Sequence, residues 1–218
     1  AGMASDDIGN GTKDLEGLVV DGGQIDLPSV TVDGGGATGL VIGATAATDI
    51  NLNGATYQVT NAAGDDDPIT FGGAVTLNND VTVIHTSASA DAVTFSNSLD
   101  SEGGARNLDL VTGSATADLQ GAVGASSALA SLDINNTGGA GAINLADIGA
   151  GSAGVTGATH IGNTNTAAIN FNGTTYNTSG AQTYIATGGR NLNVIGGGSP
   201  VTFTGSNTDN SFDTAVVD

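Results

Sequence analysis

Residues 50–57 read Ile-Asn-Leu-Asn-Gly-Ala-Thr-Tyr, and residues 169–176 repeat this phrase as Ile-Asn-Phe-Asn-Gly-Thr-Thr-Tyr. In both copies apolar and polar side chains alternate, and an Asn-Gly step then separates them from a second β-type run. Alternation with a period of two predicts a strand with one buried face, and Asn-Gly predicts a turn. One such unit cannot bury its apolar face alone, so its recurrence predicts units that stack on one another.

Two other phrases also recur. Residues 68–71 read Pro-Ile-Thr-Phe, and they return as Pro-Val-Thr-Phe at 200–203 and less fully as Ala-Val-Thr-Phe at 92–95. Residues 103–110 read Gly-Gly-Ala-Arg-Asn-Leu-Asp-Leu, and a shortened copy, Gly-Gly-Arg-Asn-Leu-Asn-Val, occupies 188–194. The repeats do not share one spacing, which indicates degenerate turns joined by loops of varying length.

Short β-type runs separated by Gly, Asn, Asp and Ser fill the rest of the chain, and sustained helical periodicity is absent. The runs that we identify as strands cover residues 17–20, 24–27, 29–32, 39–42, 49–52, 56–60, 69–71, 74–77, 81–84, 92–95, 107–111, 115–119, 131–134, 141–145, 167–171, 182–186, 191–195, 200–204 and 212–217.

We therefore predict an all-β protein, and the repeats favour a β-solenoid (β-helix) of short irregular turns, each of about 20 residues. A β-sandwich or jelly-roll filament subunit is the alternative. The chain has three tyrosines, five phenylalanines and no tryptophan, so its apolar residues are mostly small or β-branched, as a thin core requires. We assign the solenoid to residues 17–205, a polar segment or cap to 1–16, and a C-terminal strand to 206–218.

The charge balance limits the partners of this chain. Twenty-two acidic residues oppose three basic ones, which gives a formal net charge of −19. Such a chain repels phosphate backbones and anionic headgroups, so we expect no nucleic-acid binding. Because no apolar run approaches the roughly 20 residues of a spanning helix, we expect no membrane insertion.

We find no pattern that indicates an enzyme. A β-helix enzyme acting on acidic polysaccharides needs clustered cations, whereas Lys13, Arg106 and Arg190 are dispersed. Glycoside hydrolysis needs two carboxylates beside aromatic rings that stack on sugars, and no such cluster is evident. His85 and His160 have no metal-ligand or nucleophile partner at a telling spacing.

Asp65, Asp66 and Asp67 form the densest acidic run. Three carboxylates in a turn offer the hard oxygen ligands that Ca²⁺ prefers. The alternative is a solvated loop, since adjacent side chains of an extended run point in alternating directions. Calcium at this run is the one cofactor that we consider.

Residues 92–134 resemble the repeat unit of giant bacterial β-strand-repeat surface adhesins, which are filamentous-haemagglutinin-like β-helix proteins. The matching pieces are Val-Thr-Phe at 93–95, Gly-Gly-Ala-Arg at 103–106, Gly-Ala-Val-Gly at 121–124 and Ala-Leu-Ala-Ser-Leu at 128–132. Residues 178–184, Thr-Ser-Gly-Ala-Gln-Thr-Tyr, look like another phrase of that family. The resemblance implies export to the cell surface and a β-helix, and it supplies no catalytic residues.

The C-terminal strand is the candidate for assembly. Solenoid ends expose strand edges that associate unless they are capped. Phe212, Val216 and Val217 make the last residues strand-like, so we expect them to pair with an edge of a neighbouring subunit. Our expectation is an extracellular structural or adhesive protein whose partners are its own copies, as a homopolymer, or ligands on a host surface. The alternative is a calcium-dependent glycan- or surface-binding module.

Overall fold

The structure is a computed structural model that describes residues 15–33, 38–44, 49–60, 67–86, 91–187, 192–196, 199–205 and 211–213. In chain order its strands are β1 (Gly17–Val20), β2 (Gln24–Leu27), β3 (Val30–Val32), β4 (Gly39–Ile42), β5 (Asp49–Leu52), β6 (Thr56–Val59), β7 (Ile69–Phe71), β8 (Ala74–Leu77), β9 (Val81–His85), β10 (Ala92–Phe95), β11 (Leu99–Ser101), β12 (Asn107–Val111), β13 (Thr116–Leu119), β14 (Ser131–Ile134), β15 (Ile143–Leu145), β16 (Thr159–Ile161), β17 (Ile169–Phe171), β18 (Thr175–Thr178), β19 (Gln182–Ile185), β20 (Leu192–Val194), β21 (Thr202–Gly205) and β22 (Ser211–Asp213).

These strands form three parallel stacks. Sheet I has the order β1-β4-β7-β10-β13-β15-β17-β20, and sheet III has the order β3-β6-β9-β12-β14-β16-β19-β22. Sheet II begins as β2-β5-β8-β11 and ends as β18-β21, and single-residue bridges through Val123 and Ile148 join the two parts. Consecutive strands of the chain therefore lie in different sheets, and each strand pairs with its counterpart one turn later. This is the β-solenoid that the sequence predicts, with about seven turns.

The turns are longer than the predicted 20 residues. Gly17 pairs with Gly39, 22 positions later, and Leu40 pairs with Ile69, 29 positions later. The extra residues lie between the strands: nine residues separate β6 from β7 along the chain, for example. The variable corners explain why the repeated phrases do not share one spacing.

The core is one continuous apolar column inside the three sheets. Along most of the strands the side chains alternate between buried and partly exposed, for example over β9 and β10. Registered partners stack in line because the sheets are parallel. In sheet I one buried column consists of Ile42, Phe71, Phe95, Leu119, Leu145 and Phe171.

Aromatic rings sit at two levels of this core. Phe71 and Phe95 stack at 4.8 Å between ring centroids, and Tyr57 meets Phe71 edge-on. Near the last turns, Phe171 meets three rings edge-on, those of Tyr176, Tyr184 and Phe203. Such pairs add to the stabilisation that apolar burial provides. The scarcity of aromatic residues in the sequence thus reflects a narrow core in which rings occur only at selected turns.

The two copies of the phrase at 50–57 and 169–176 do not occupy equivalent places in a turn. The first copy forms β5 of sheet II and the start of β6 in sheet III. The second forms β17 of sheet I and the start of β18 in the next sheet. The phrase therefore specifies a strand, a corner and a second strand, and it forms this unit at different corners of the solenoid.

Candidate functional site

A buried tyrosine closes the corner in both copies of the phrase. The hydroxyl of Tyr57 donates a hydrogen bond to the carbonyl of Leu27, one turn earlier, at 2.7 Å, and accepts one from the Gly54 N–H at 3.0 Å. The hydroxyl of Tyr176 does the same with Leu145 and Gly173, at 3.1 and 2.9 Å. Burial raises the pKa of both phenols, so they remain neutral donors. Each hydroxyl thus holds its own corner to the preceding turn.

A short polar side chain of the preceding turn completes each corner. The Ser29 hydroxyl accepts hydrogen bonds from the backbone N–H groups of Ala55 and Thr56, at 3.0 and 3.2 Å. At the second corner one carboxylate oxygen of Asp147 accepts the N–H groups of Thr174 and Thr175, at 2.6 and 2.8 Å. The corner glycine is needed because the turns approach closely: a Cβ on Gly54 would lie 2.0 Å from the Ser29 nitrogen.

The outer surface of sheet I carries a ladder of amides. Asn193 donates to Asn170 at 2.6 Å, Asn170 donates to Asn144 at 2.7 Å, and Asn144 donates to Asp118 at 3.2 Å. These four residues are registered partners on neighbouring strands. The ladder uses each amide side chain to join successive turns on the outer surface.

The outer surface of sheet III carries titratable groups in the same kind of column. Asp109 lies directly opposite Asp133, which lies opposite His160. The Asp133 carboxylate is 2.8 Å from His160 Nδ1. At Asp109, desolvation together with the negative charge of Asp133 raises the pKa above its ordinary value. In this column two carboxylates, those of Asp109 and Asp133, lie side by side on the outer face of sheet III and repel each other.

Of the predicted calcium ligands, only Asp67 lies in the described residues; Asp65 and Asp66 lie outside them. Asp67 is buried, and its carboxylate accepts the Gly39 N–H at 3.2 Å. In the described part of the chain no three His, Cys, Asp or Glu side chains are grouped closely enough to hold a metal ion. Calcium at this run stays a prediction.

Both histidines have partners that the sequence did not reveal. Buried His85 donates from Nε2 to the Asp67 carbonyl at 2.9 Å, since a carbonyl oxygen only accepts, and it lies 3.6 Å from the Asp91 carboxylate. His160 meets Asp133, which precedes it by 27 positions, one turn of the solenoid. The sequence did not reveal these contacts because it did not reveal the length of each turn, which decides which residues of successive turns lie side by side.

The assembly prediction concerns the last turn. Phe212 lies in β22, which pairs in parallel with β19 of the same chain, while Val216 and Val217 lie outside the described residues. Pairing with a neighbouring subunit would use the other edge of β22, and it stays a prediction.

The exposed large apolar side chains of the described residues lie at the two ends of sheet I. They are Val19 in the first strand, at 55% exposure, and Val194 and Ile195 at the last strand, at 49% and 56%. The described outer faces between the ends expose no large apolar side chain. The exposed large apolar side chains of the described residues are therefore concentrated at the ends of sheet I.

None of the described segments is a helix with the length and hydropathy needed to cross a membrane. No family model, no curated protein and no solved structure matches this chain.

Proposed function

We propose that this chain is a rod-like structural module of an extracellular surface protein, of the kind found in β-helix adhesins. The observation that carries the proposal is that the turns make their backbone and apolar contacts with one another and present polar side chains outward. The strands pair through their backbones with strands of adjacent turns, the inward apolar side chains pack against those of adjacent turns, and many outward positions hold Thr, Asn or Asp. A molecule built in this way presents long polar faces at fixed spacing, which suits spanning distance and adhesion through surface shape.

The charge and the resemblance support the same role. A net charge of −19 keeps neighbouring rods soluble and apart. The phrases shared with bacterial surface adhesins occur in the part of the chain that forms β10 to β14 and again between β18 and β19. Cell-surface export is what that resemblance adds to the proposal.

Labelling of intact cells tests the proposal. An antibody against the purified chain should label unpermeabilised cells of the producing organism, and protease added outside those cells should remove the signal. An antibody against a cytosolic protein, which should label only permeabilised cells, is the control. If the chain is labelled only after permeabilisation, the proposed location is wrong.

A self-assembling surface filament is the second candidate, and the exposed apolar side chains at the last turn favour it. Electron microscopy of native material distinguishes the two: regular fibres would support the filament, and isolated rods would support a module of a larger protein.

A further inference from the structure

Each copy of the repeated phrase places an Asn-Gly step at a corner: Asn53-Gly54 lies between β5 and β6, and Asn172-Gly173 lies between β17 and β18. Such a step is chemically weak, because glycine has no side chain to hinder attack by its own backbone nitrogen on the preceding amide. The attack joins the glycine nitrogen to the asparagine Cγ and breaks the Cγ–Nδ2 bond, and the glycine proton leaves with that nitrogen as ammonia. Water then opens the succinimide ring to aspartate or isoaspartate.

The attacking nitrogen is held at both corners. The Gly54 N–H donates to the Tyr57 hydroxyl at 3.0 Å and to the Leu27 carbonyl at 3.2 Å. The Gly173 N–H donates in the same way, to the Tyr176 hydroxyl at 2.9 Å and to a carbonyl of the preceding turn at 3.3 Å. A nitrogen whose proton is shared between two acceptors can attack only after the corner has opened locally.

The backbone of each corner also lacks the room that the reaction needs. A Cβ on Gly54 would lie 2.0 Å from the Ser29 nitrogen, and a Cβ on Gly173 would lie 2.6 Å from the Asp147 nitrogen. Rotation of the asparagine backbone toward the ring geometry would press the glycine against the preceding turn. Isoaspartate, which lengthens the backbone by one carbon, would not fit the closed corner at all.

We propose that Asn53 and Asn172 are deamidation sites, and that the tyrosine of each corner sets the rate at its own asparagine. By holding the glycine nitrogen, Tyr57 and Tyr176 slow the reaction for as long as the corner is closed. Both asparagines are exposed, so burial does not protect them and solvent water reaches them. This inference goes beyond the proposed function and does not depend on a location at the cell surface.

Tyr57→Phe and Tyr176→Phe test the proposal as a reciprocal pair, because each removes the hydroxyl from one corner and leaves the other corner intact. The full chains are incubated in mildly alkaline buffer, and peptide mass spectrometry follows aspartate and isoaspartate at both asparagines. We expect Tyr57→Phe to speed the reaction at Asn53 about two- to tenfold and to leave Asn172 unchanged, since one hydrogen bond is lost. Tyr176→Phe should do the reverse.

Ser29→Ala is the matched control at the first corner. It removes the acceptor of two other backbone N–H groups and leaves both hydrogen bonds of Gly54 in place. The reaction at Asn53 should therefore speed up less than in Tyr57→Phe. An equal rise in the two variants would show that any weakening of the corner sets the rate, and the assigned role of the tyrosine would be wrong.

The remaining outcomes also decide the matter. A rise at both asparagines in each tyrosine variant would attribute the effect to global unfolding, and no rise in either variant would refute control by the corner. The original chain, which needs no substitution to fold, gives an independent measurement. Its asparagines should react more slowly in buffer than in guanidinium chloride, and hydrogen exchange at Gly54 and Gly173 should be slow. Reaction or exchange at the unfolded rate would overturn the proposal.

Discussion

Buried hydroxyl groups tie successive turns together at single points. The oxygen of Tyr57 bridges two backbone groups that lie in adjacent turns, and the oxygen of Tyr176 repeats this bridge. Removing such an oxygen takes one hydrogen bond from a buried carbonyl and one from a glycine N–H, and both groups keep a backbone partner. The Leu27 carbonyl accepts the N–H groups of Asn53 and Gly54 at 2.9 and 3.2 Å, and the Leu145 carbonyl accepts those of Asn172 and Gly173 at 2.8 and 3.3 Å. The expected cost is therefore the net gain of an average hydrogen bond.

We expect Tyr57→Phe and Tyr176→Phe each to lower the free energy of unfolding by about 0.5–1.5 kcal/mol, because the ring packing stays and only the hydroxyl bridge is lost. Denaturant unfolding monitored by circular dichroism gives this value. Thr82→Val is the control, since it removes a hydroxyl from an outward position of β9 and should change stability by less than about 0.5 kcal/mol. Equal effects at all three positions would show that the bridge is not what stabilises the corner.

Asp109 is the residue at which removing a charge should increase stability. Its pKa is raised in the folded chain by desolvation and by Asp133, so folding favours the protonated form. Such a group contributes stability below its unfolded pKa of about 3.8, and this contribution is lost as the pH rises through the folded pKa. At neutral pH the Asp109 carboxylate therefore costs stability.

We expect Asp109→Asn to raise the free energy of unfolding by about 0.5 kcal/mol at pH 7, the scale of a cross-strand pair. The gain should shrink as the pH falls through the raised pKa of Asp109, and it should vanish well below 3.8, where the carboxyl is neutral in both the folded and the unfolded chain. Asp118→Asn is the comparison: Asp118 accepts a hydrogen bond from Asn144 and faces no opposing carboxylate, so no gain is expected. Thermal melts across this pH range distinguish the two variants, and a gain of the same size at pH 3 would contradict the electrostatic explanation.

At the residue level the sequence predicted types of position better than partners. The excess of Asp over Glu predicts Asp at turn corners, where Asp80 and Asp147 lie, whereas Asp100 lies in β11. All three accept backbone N–H groups of the next turn. Their partners lie 26 to 28 positions away, and the lengths of the intervening corners are not set by any local pattern. For the same reason His160 gave no sign of its contact with Asp133.

Among the elements, the unit that recurs in this fold is a corner with its two flanking strands. A strand, an Asn-Gly corner and a tyrosine-bearing strand fold onto an acceptor side chain that the preceding turn supplies. Ser29 fills the acceptor position at one corner and Asp147 fills it at the other. The two corners thus form a natural comparison of two side chains with one role.

We expect Asp147→Ala to lower the free energy of unfolding by about 1–3 kcal/mol, because two backbone N–H groups at the corner lose their acceptor. Asp147→Ser should recover most of this loss, since the Ser29 hydroxyl accepts the corresponding pair of N–H groups. Denaturant titration of the three chains measures the difference. If Asp147→Ser is as unstable as Asp147→Ala, the two corners are not equivalent.

Strands with strong alternation were predictable, and strands that depend on their neighbours were not. The bounds of β1, β2, β4 and β10 match the runs identified in the sequence. The runs identified as strands in the sequence do not include β11, β16 or β18, which read Leu-Asp-Ser, Thr-His-Ile and Thr-Tyr-Asn-Thr. Each of these has one large apolar side chain, and each becomes a strand by pairing in register with strands of adjacent turns.

Over the whole molecule, stability is a sum of contacts between neighbouring turns. A solenoid of this kind has no central nucleus, so a local defect weakens two interfaces and leaves distant turns intact. Charge is different because it acts over the full length of the rod. Carboxylates line successive turns, and few cations offset them.

The net charge of −19 predicts that salt stabilises the fold, because screening reduces repulsion among carboxylates that the folded chain holds close together. We expect the melting temperature to rise between 0.05 and 0.5 M NaCl, and we expect CaCl₂ and MgCl₂ at equal millimolar concentrations to raise it equally. A calcium site at residues 65–67 predicts otherwise, because Ca²⁺ tolerates more ligands and a less regular geometry than Mg²⁺. A rise with CaCl₂ that exceeds the rise with MgCl₂, and that Asp66→Asn removes, would establish that site. An equal response in the original chain and in Asp66→Asn would attribute the effect of divalent ions to the charge of the whole rod.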